Sequence, residues 1–221
     1  MDTLNEEEIK ALAAQLSCPQ GEMGTVVGER MHTNNLQMTL NTFKSLNLKN
    51  NNRVLEIGPG AAAHVPLILN TAKNISYHGL DISELMVQEA QNINTENISK
   101  KNAFFHLYDG THIPFPEALF DKVMTVNTIY FWEHPDKLLK EIKRVMKPKA
   151  VFCICFGKKE FMEQLPFTKY GFRLYSSEKA QELITNAGFE ILKATDVSDE
   201  VEVNEDKTME RFFSILTVRK T

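Results

Sequence analysis

Cysteine, basic charge and long apolar runs are all scarce in this chain, and each shortage removes a class of protein. The three cysteines, Cys18, Cys153 and Cys155, include no Cys-x-x-Cys pair, the spacing that zinc sites and dithiol redox centres use, so reduced core thiols and no metal are expected. No apolar stretch approaches the roughly 20 residues that a membrane-spanning helix needs. The N-terminal segment is polar and acidic (Glu6-Glu7-Glu8) and carries neither the basic nor the apolar block of a secretory leader. A cytoplasmic protein with no membrane insertion is therefore expected. Lys and Arg number 25 against 29 Asp and Glu, a net charge of −4. That balance gives no broad attraction for phosphate backbones, and the pairs Lys100-Lys101 and Lys158-Lys159 form no stripe, so no nucleic-acid partner is expected. Internal repeats and low-complexity tracts are absent.

What is present suits one domain with appendages: 221 residues, 43% of them hydrophobic, suffice for a single substantial core. Ile9, Leu12, Ala13 and Leu16 fall at helical spacing, and Leu36, Leu40 and Phe43 do so again after a candidate cap at Thr33. Between them Cys18-Pro19-Gln20-Gly21 and Gly24 break the period and predict a segment that arches over its surroundings. From Arg53 onward strand and helix patterns alternate: strands at 53–57, 76–81 and 103–108, helices near 62–72 and 84–97. Alternation of this kind means βαβ units and a parallel sheet. Ser83 is placed to cap the second of these helices, with Ile82 and Val87 flanking the cap. Pro66 predicts that the first starts late or kinks. A fourth strand (122–126), a helix (135–146) and a fifth strand (150–156) follow. A helix from Ser177 to about Ala187, ended by Gly188, and two strands (190–196, 212–218) close the chain, with the acidic stretch 198–207 expected as an exposed loop.

The densest chemistry lies at Val54 to Ala63. An apolar strand ends in Glu56 and meets Gly58-Pro59-Gly60, where two glycines permit a sharp turn and leave no Cβ between backbone and ligand, while Pro59 fixes φ between them. Asp81, at the end of the next strand, stands where an open α/β sheet presents a carboxylate to ribose hydroxyls. The glycine spacing alone also satisfies a dinucleotide fingerprint, so a nicotinamide-dependent oxidoreductase is an alternative. Glu56 argues against it, because a carboxylate two residues before the turn repels pyrophosphate and suits a cation.

Five ordered segments, from about Arg53 to Phe156, resemble the class I S-adenosylmethionine-dependent methyltransferases: Val54-Leu-Glu-Ile-Gly-Pro-Gly60, Gly79-Leu-Asp-Ile-Ser83, Tyr108-Asp-Gly-Thr111 with Ile113-Pro-Phe-Pro116, Phe120-Asp-Lys-Val123, and Arg144-Val-Met-Lys-Pro148. One departure is Ala62 in place of the family's usual third glycine. The resemblance implies a Rossmann-like α/β fold: a mostly parallel seven-stranded sheet flanked by helices, with an antiparallel C-terminal strand and an N-terminal helical extension. It implies a helical lid over residues 1–48 and a cofactor-binding domain over 49–221, together one structural unit. The implied cofactor is S-adenosyl-L-methionine, leaving as S-adenosyl-L-homocysteine. Glu56, Gly58, Pro59 and Gly60 would lie against its methionine part and Asp81 would hold the ribose. Ile82 and Met86 would flank adenine, with Asp109, Gly110, Thr111 and Asn127 completing the site. Met86 reads equally as core filler, and Asp109 as a turn cap.

The implied reaction is methyl transfer to a small-molecule acceptor, an in-line displacement in which the enzyme aligns acceptor and methyl carbon. Tyr130 is the candidate catalytic residue, to orient the acceptor or receive its proton. Asn127-Thr-Ile-Tyr130 stands where amino-group methyltransferases carry Asn-Pro-Pro-aromatic, but the prolines are missing. Met31, His32, Asn35, Trp132 and Tyr170 are candidate acceptor or lid residues. His64 and His134 read as surface or capping residues, and a non-catalytic cofactor-binding protein is a further alternative.

Overall fold

The computed structural model describes residues 4–204 and 207–220. Two helices, α1 (Glu6–Ser17) and α2 (Gly21–Leu46), precede β1 (Arg53–Ile57), α3 (Val65–Leu69), β2 (Ser76–Asp81), α4 (Glu84–Ile93), α5 (Thr95–Ser99) and β3 (Ala103–Leu107). Then come β4 (Phe120–Val126), a 3-10 turn (Ile129–Phe131), α6 (Pro135–Val145), β5 (Met146–Gly157) and α7 (Lys159–Met162). A second 3-10 turn (Pro166–Lys169), α8 (Ser177–Asn186), β6 (Phe189–Asn204) and β7 (Lys207–Lys220) complete the chain. The seven strands form one sheet in the order β3-β2-β1-β4-β5-β7-β6. Strands β1 to β5 pair in parallel and β7 runs antiparallel between β5 and β6. The strand order reverses between β1 and β4, which opens a crevice at their carboxyl ends, the place where sheets of this kind hold ligands.

Each sheet face is sealed by a helical layer. Leu138, Leu139, Ile142 and Val145 of α6 are buried on one face, each contributing roughly 1.5–3 kcal/mol of transfer free energy. On the other face the C-terminal half of α2 buries Met38, Phe43 and Leu46 beside Val54, Tyr77 and Met124. Gly79 on β2 is fitted to this packing: a Cβ there would stand 3.0 Å from both Phe105 Cδ1 and Pro59 Cγ.

Four expectations are corrected. Helix α2 runs unbroken through Thr33, whose hydroxyl bonds back to the Glu29 carbonyl instead of capping a new helix. Gly24 does not break it either; it and Gly28 are packing residues, since a Cβ at Gly24 would meet Leu85 Cδ2 at 2.8 Å and one at Gly28 would meet Met86 Cε at 2.8 Å. The helix expected to reach residue 97 turns at Asn94, whose buried amide donates to the carbonyls of Ala62 and Ala90. The acidic stretch expected as a loop is strand: β6 and β7 stay paired from Asp196↔Ser214 through Asp199↔Arg211 to Glu202↔Thr208. Acidic side chains in such a run suggest solvation, whereas Asp199 is held by Arg211 through Oδ1 to Nε at 2.9 Å and Oδ2 to Nη2 at 2.6 Å. Residues 205 and 206 of that stretch lie outside the described residues. Pro66 sits in the first turn of α3, which starts late as expected.

A stacked pair on the α6 face sets an acid sensitivity. The His78 ring stacks on Phe104 at 4.8 Å and on His106 at 6.1 Å, and neither His78 Nδ1 nor His106 Nε2 has a hydrogen-bond partner among the described residues. Burial, with His106 and Arg53 nearby, pushes His78 down from 6.5 to about 4. Because the folded value lies below the unfolded one, the unfolded chain binds the extra proton as pH falls between these values, and stability is lost there. Thermal unfolding across this range should show wild type losing more melting temperature on acidification than His78→Gln. Parallel slopes would remove His78 as a cause.

Candidate active site

The end of β1 and the start of α3 enclose a buried acid. Glu56 is 2% exposed, and its Oε2 accepts from the Tyr77 hydroxyl at 2.7 Å and lies 2.9 Å from His64 Nε2. Burial, reinforced by Glu56, holds the Tyr77 phenol protonated far above the usual range, so Tyr77 is the donor. Gly58 and Gly60 have φ of 69° and 59°, and a Cβ at Gly58 would stand 2.4 Å from Thr128 Cγ2. Both the backbone angle and the space therefore demand glycine at 58. Ala62, where the family's third glycine is missing, also has a left-handed φ of 53°, a strain of about 1–2 kcal/mol.

Asp81 ties the second strand to the turn. Its Oδ2 accepts from Gly60 N at 3.0 Å and its Oδ1 from Ser83 N at 2.9 Å. Burial pushes the carboxyl up, opposed by the amides of Ser83, Gly60 and Ile82, with Glu56 adding to the rise. Ser83 caps α4 by accepting from Met86 N and donates its hydroxyl to the Pro19 carbonyl at 2.6 Å. That second bond fastens the end of the α1–α2 connection over the cleft.

Helix α2 supplies the opposite wall. Its close seat on α4 places Gly28, Met31, His32, Asn35 and Thr39 along the cavity, with Leu16, Ser17 and Pro19 roofing one end. The His32 ring stacks on His64, centroids 6.1 Å apart and planes inclined by 16°. Burial and then His64 lower the His32 pKa, with Glu56 opposing.

The third wall is the segment after β4. Asn127 has a left-handed φ of 56°, which asparagine tolerates better than most residues. Its Nδ2 donates to Asn35 Oδ1 at 2.9 Å and its Oδ1 accepts from Gly157 N at 3.2 Å. Arg211 Nη1 reaches the same Asn35 oxygen at 3.4 Å, joining the β6–β7 ribbon to the cavity wall. Trp132, 6% exposed, donates Nε1–H to Thr128 Oγ1 at 3.1 Å. The loop after β3 is clamped from α6, where Arg144 donates to the carbonyls of Phe115 and Ile113 at 2.7 and 2.8 Å.

One cavity thus gathers Glu56, Gly58, Pro59, Gly60, Asp81, Ile82, Met86, Gly110 and Asn127 with Met31, His32, Asn35 and Trp132. Four expected residues do not line it. Asp109 is exposed, and its Oδ1 accepts from Thr111 N at 2.8 Å and His112 N at 2.7 Å, bonds that lower its pKa and make it the turn cap considered above. Thr111 is the partner in that turn. Tyr130 is buried behind Asn127, its hydroxyl donating to Asn127 Oδ1 at 3.0 Å and to the Gly157 carbonyl at 3.2 Å. Burial pushes that hydroxyl far up, so it stays protonated, and its proton is committed to these two acceptors. The Tyr170 ring lies under Lys10 Nζ at 5.3 Å, against α1.

Sequence reading missed His64, which is 4% exposed and not a surface group, together with Tyr77, Thr128, Phe131 and Gly28. His64 carried a signal: a glycine turn folds the start of the next helix back toward the acid that ends the strand. Gly24 and Gly28 carried another, small residues four apart on one helical face.

The profile of a methyltransferase domain family matches residues 55–154. The chain is 27% identical over 168 residues to the uncharacterized methyltransferase YdaC of Bacillus subtilis, covering 75% of this chain and 86% of that one. It is 24% identical over 186 residues to the O-methyltransferase resE of Aspergillus sclerotiorum, covering 78% and 68%. A solved SAM-dependent methyltransferase from Aquifex aeolicus superposes with a TM-score of 0.66 at 22% identity, over 99% of this chain and all of that one, a likeness of fold.

Proposed function

Since the chain belongs to the class I S-adenosylmethionine-dependent methyltransferases, we propose that its acceptor is a small molecule, held between α2 and residues 127–132. The observation that carries this is the roof. The end of α1 and the N-terminal half of α2 lie over the cleft, fastened by the Ser83–Pro19 bond, and a roofed cavity suits a small ligand better than a polymer. Residues 1–48 then serve as the lid through which the acceptor is admitted.

The residues present fit the cofactor. A carboxylate at Glu56 stands beside a turn that only glycine can make, and Asp81 is tied to that turn. Ile82 is 39% exposed and lines the cavity with Gly110 and the buried Met86. S-adenosylmethionine supplies, when bound, a methyl carbon activated by a sulfonium. In this reading Glu56, Gly58, Pro59 and Gly60 hold the cationic methionine end and Asp81 the ribose hydroxyls. Ile82, Met86 and Gly110 give adenine an apolar slot. Met31, Phe131 and Trp132 line the acceptor side with apolar surface and exclude water, which strengthens alignment of the two reactants.

Incubating the protein with methyl-labelled cofactor and a cell extract split by size tests the acceptor class. Label should enter the small-molecule fraction. Label found only in protein or nucleic acid would overturn the reading.

A further inference from the structure

We propose that His32 is the general base of the transfer and that the acceptor atom is a hydroxyl oxygen on an apolar frame. The proposal rests on the cavity being the site of both cofactor and acceptor, and it is carried by how the other titratable groups there are engaged. Glu56, His64, Asp81, Tyr108 and His32 are the titratable side chains among the lining residues. Glu56 is engaged by Tyr77 and His64. Both Asp81 oxygens accept backbone amides. The Tyr108 phenol is pushed up by burial, with Asp81 and Asp109 adding to it, and stays protonated. His32 differs from all of these. It is half-buried on α2, one face covered by His64, and neither ring nitrogen has a hydrogen-bond partner among the described residues.

The groups around His32 act in opposing directions. His64 on the mouth of α3 and the burial itself favour the neutral imidazole, Glu56 on β1 favours the cation, and the first two prevail. Asp81 and Tyr108 line the same cavity, and Glu29 and Arg30, its neighbours on α2, are exposed. A neutral imidazole with a free nitrogen near neutral pH is what base catalysis requires. The acceptor class follows from the same wall. Met31, Phe131 and Trp132 suit an apolar or aromatic frame, and a base is useful only when the acceptor atom carries a proton. As the acceptor oxygen bonds to the methyl carbon, the carbon–sulfur bond breaks with its electron pair going to sulfur. The O–H bond breaks with its proton passing to His32, which then releases it to solvent.

Three readouts test this, with the small-molecule fraction of a cell extract as acceptor and methyl-labelled S-adenosylmethionine as donor. His32→Ala should cut label transfer at pH 7.5 by about 100-fold or more, leave cofactor affinity by calorimetry within about twofold, and recover part of its rate with added imidazole. In wild-type protein without cofactor, proton NMR should give His32 a titration midpoint below 6.5. A variant with wild-type transfer, a loss that imidazole does not restore, or a midpoint above 6.5 would overturn the base. Absence of label in the small-molecule fraction with wild-type protein would instead overturn the acceptor reading on which it rests.

Discussion

Asp199→Ala should lower the melting temperature by roughly 6–20 °C. The reason is the ion left behind. Arg211 is 5% exposed on β7, and Asp199 on β6 takes both of its bidentate bonds. Without Asp199 the guanidinium keeps the Asn35 oxygen at 3.4 Å and the Phe213 ring at 5.7 Å, neither of which neutralises it. Breaking a buried pair in this way costs about 3–5 kcal/mol, and a domain of this length loses about 2–4 °C per kcal/mol. Pairing Asp199→Leu with Arg211→Met should recover most of the loss, since a buried pair replaced by packed apolar side chains is close to neutral. A melting temperature within about 2 °C of wild type for Asp199→Ala would show that the ribbon does not depend on this pair. The effect should also reach the cavity, because Arg211 meets Asn35, and Asn35 in turn accepts from Asn127 on the wall.

Asp81→Ala should weaken S-adenosylmethionine binding by roughly 10- to 100-fold, through lost hydrogen bonds to a carboxylate worth about 1.5–3 kcal/mol. Two contributions are mixed in that figure. The carboxylate holds Gly60 N and Ser83 N in place, so alanine loosens the glycine turn as well as removing the proposed ribose partner. Asp81→Asn separates them: one amide oxygen still accepts a backbone bond, while the charge and one acceptor are gone. Its affinity should fall between wild type and alanine. Equal affinity for all three proteins would take Asp81 out of the site.

The parallel sheet was legible because its signals are local. Short, mostly apolar runs beside Asn or Gly mark β1, β2 and β4, and the glycine turn at 58–60 marks the carboxyl end of β1. Nine of the residues expected on the cofactor side line one cavity. What stayed hidden depends on contacts between distant segments. The continuity of α2 rests on Gly24 and Gly28 meeting Leu85 and Met86, which helix propensity cannot show, since glycine scores as a breaker until a partner helix is known. The β6–β7 ribbon rests on Arg211 meeting Asp199, and read singly those residues look like solvated charge. Tyr130 is the same lesson in reverse: its position after β4 suggested a catalytic hydroxyl, yet Asn127 and Gly157 already engage it. His64 reads as a surface or capping residue only until the glycine turn is seen to bring it to 2.9 Å from Glu56.

Calorimetric titration of S-adenosylmethionine into the wild-type protein and the two Asp81 variants tests the placement of the cofactor cleft most directly. Saturable binding by wild type, graded down through Asp81→Asn to Asp81→Ala while all three remain folded, is the predicted result. Absence of binding by folded wild-type protein, or binding indifferent to both substitutions, would contradict it.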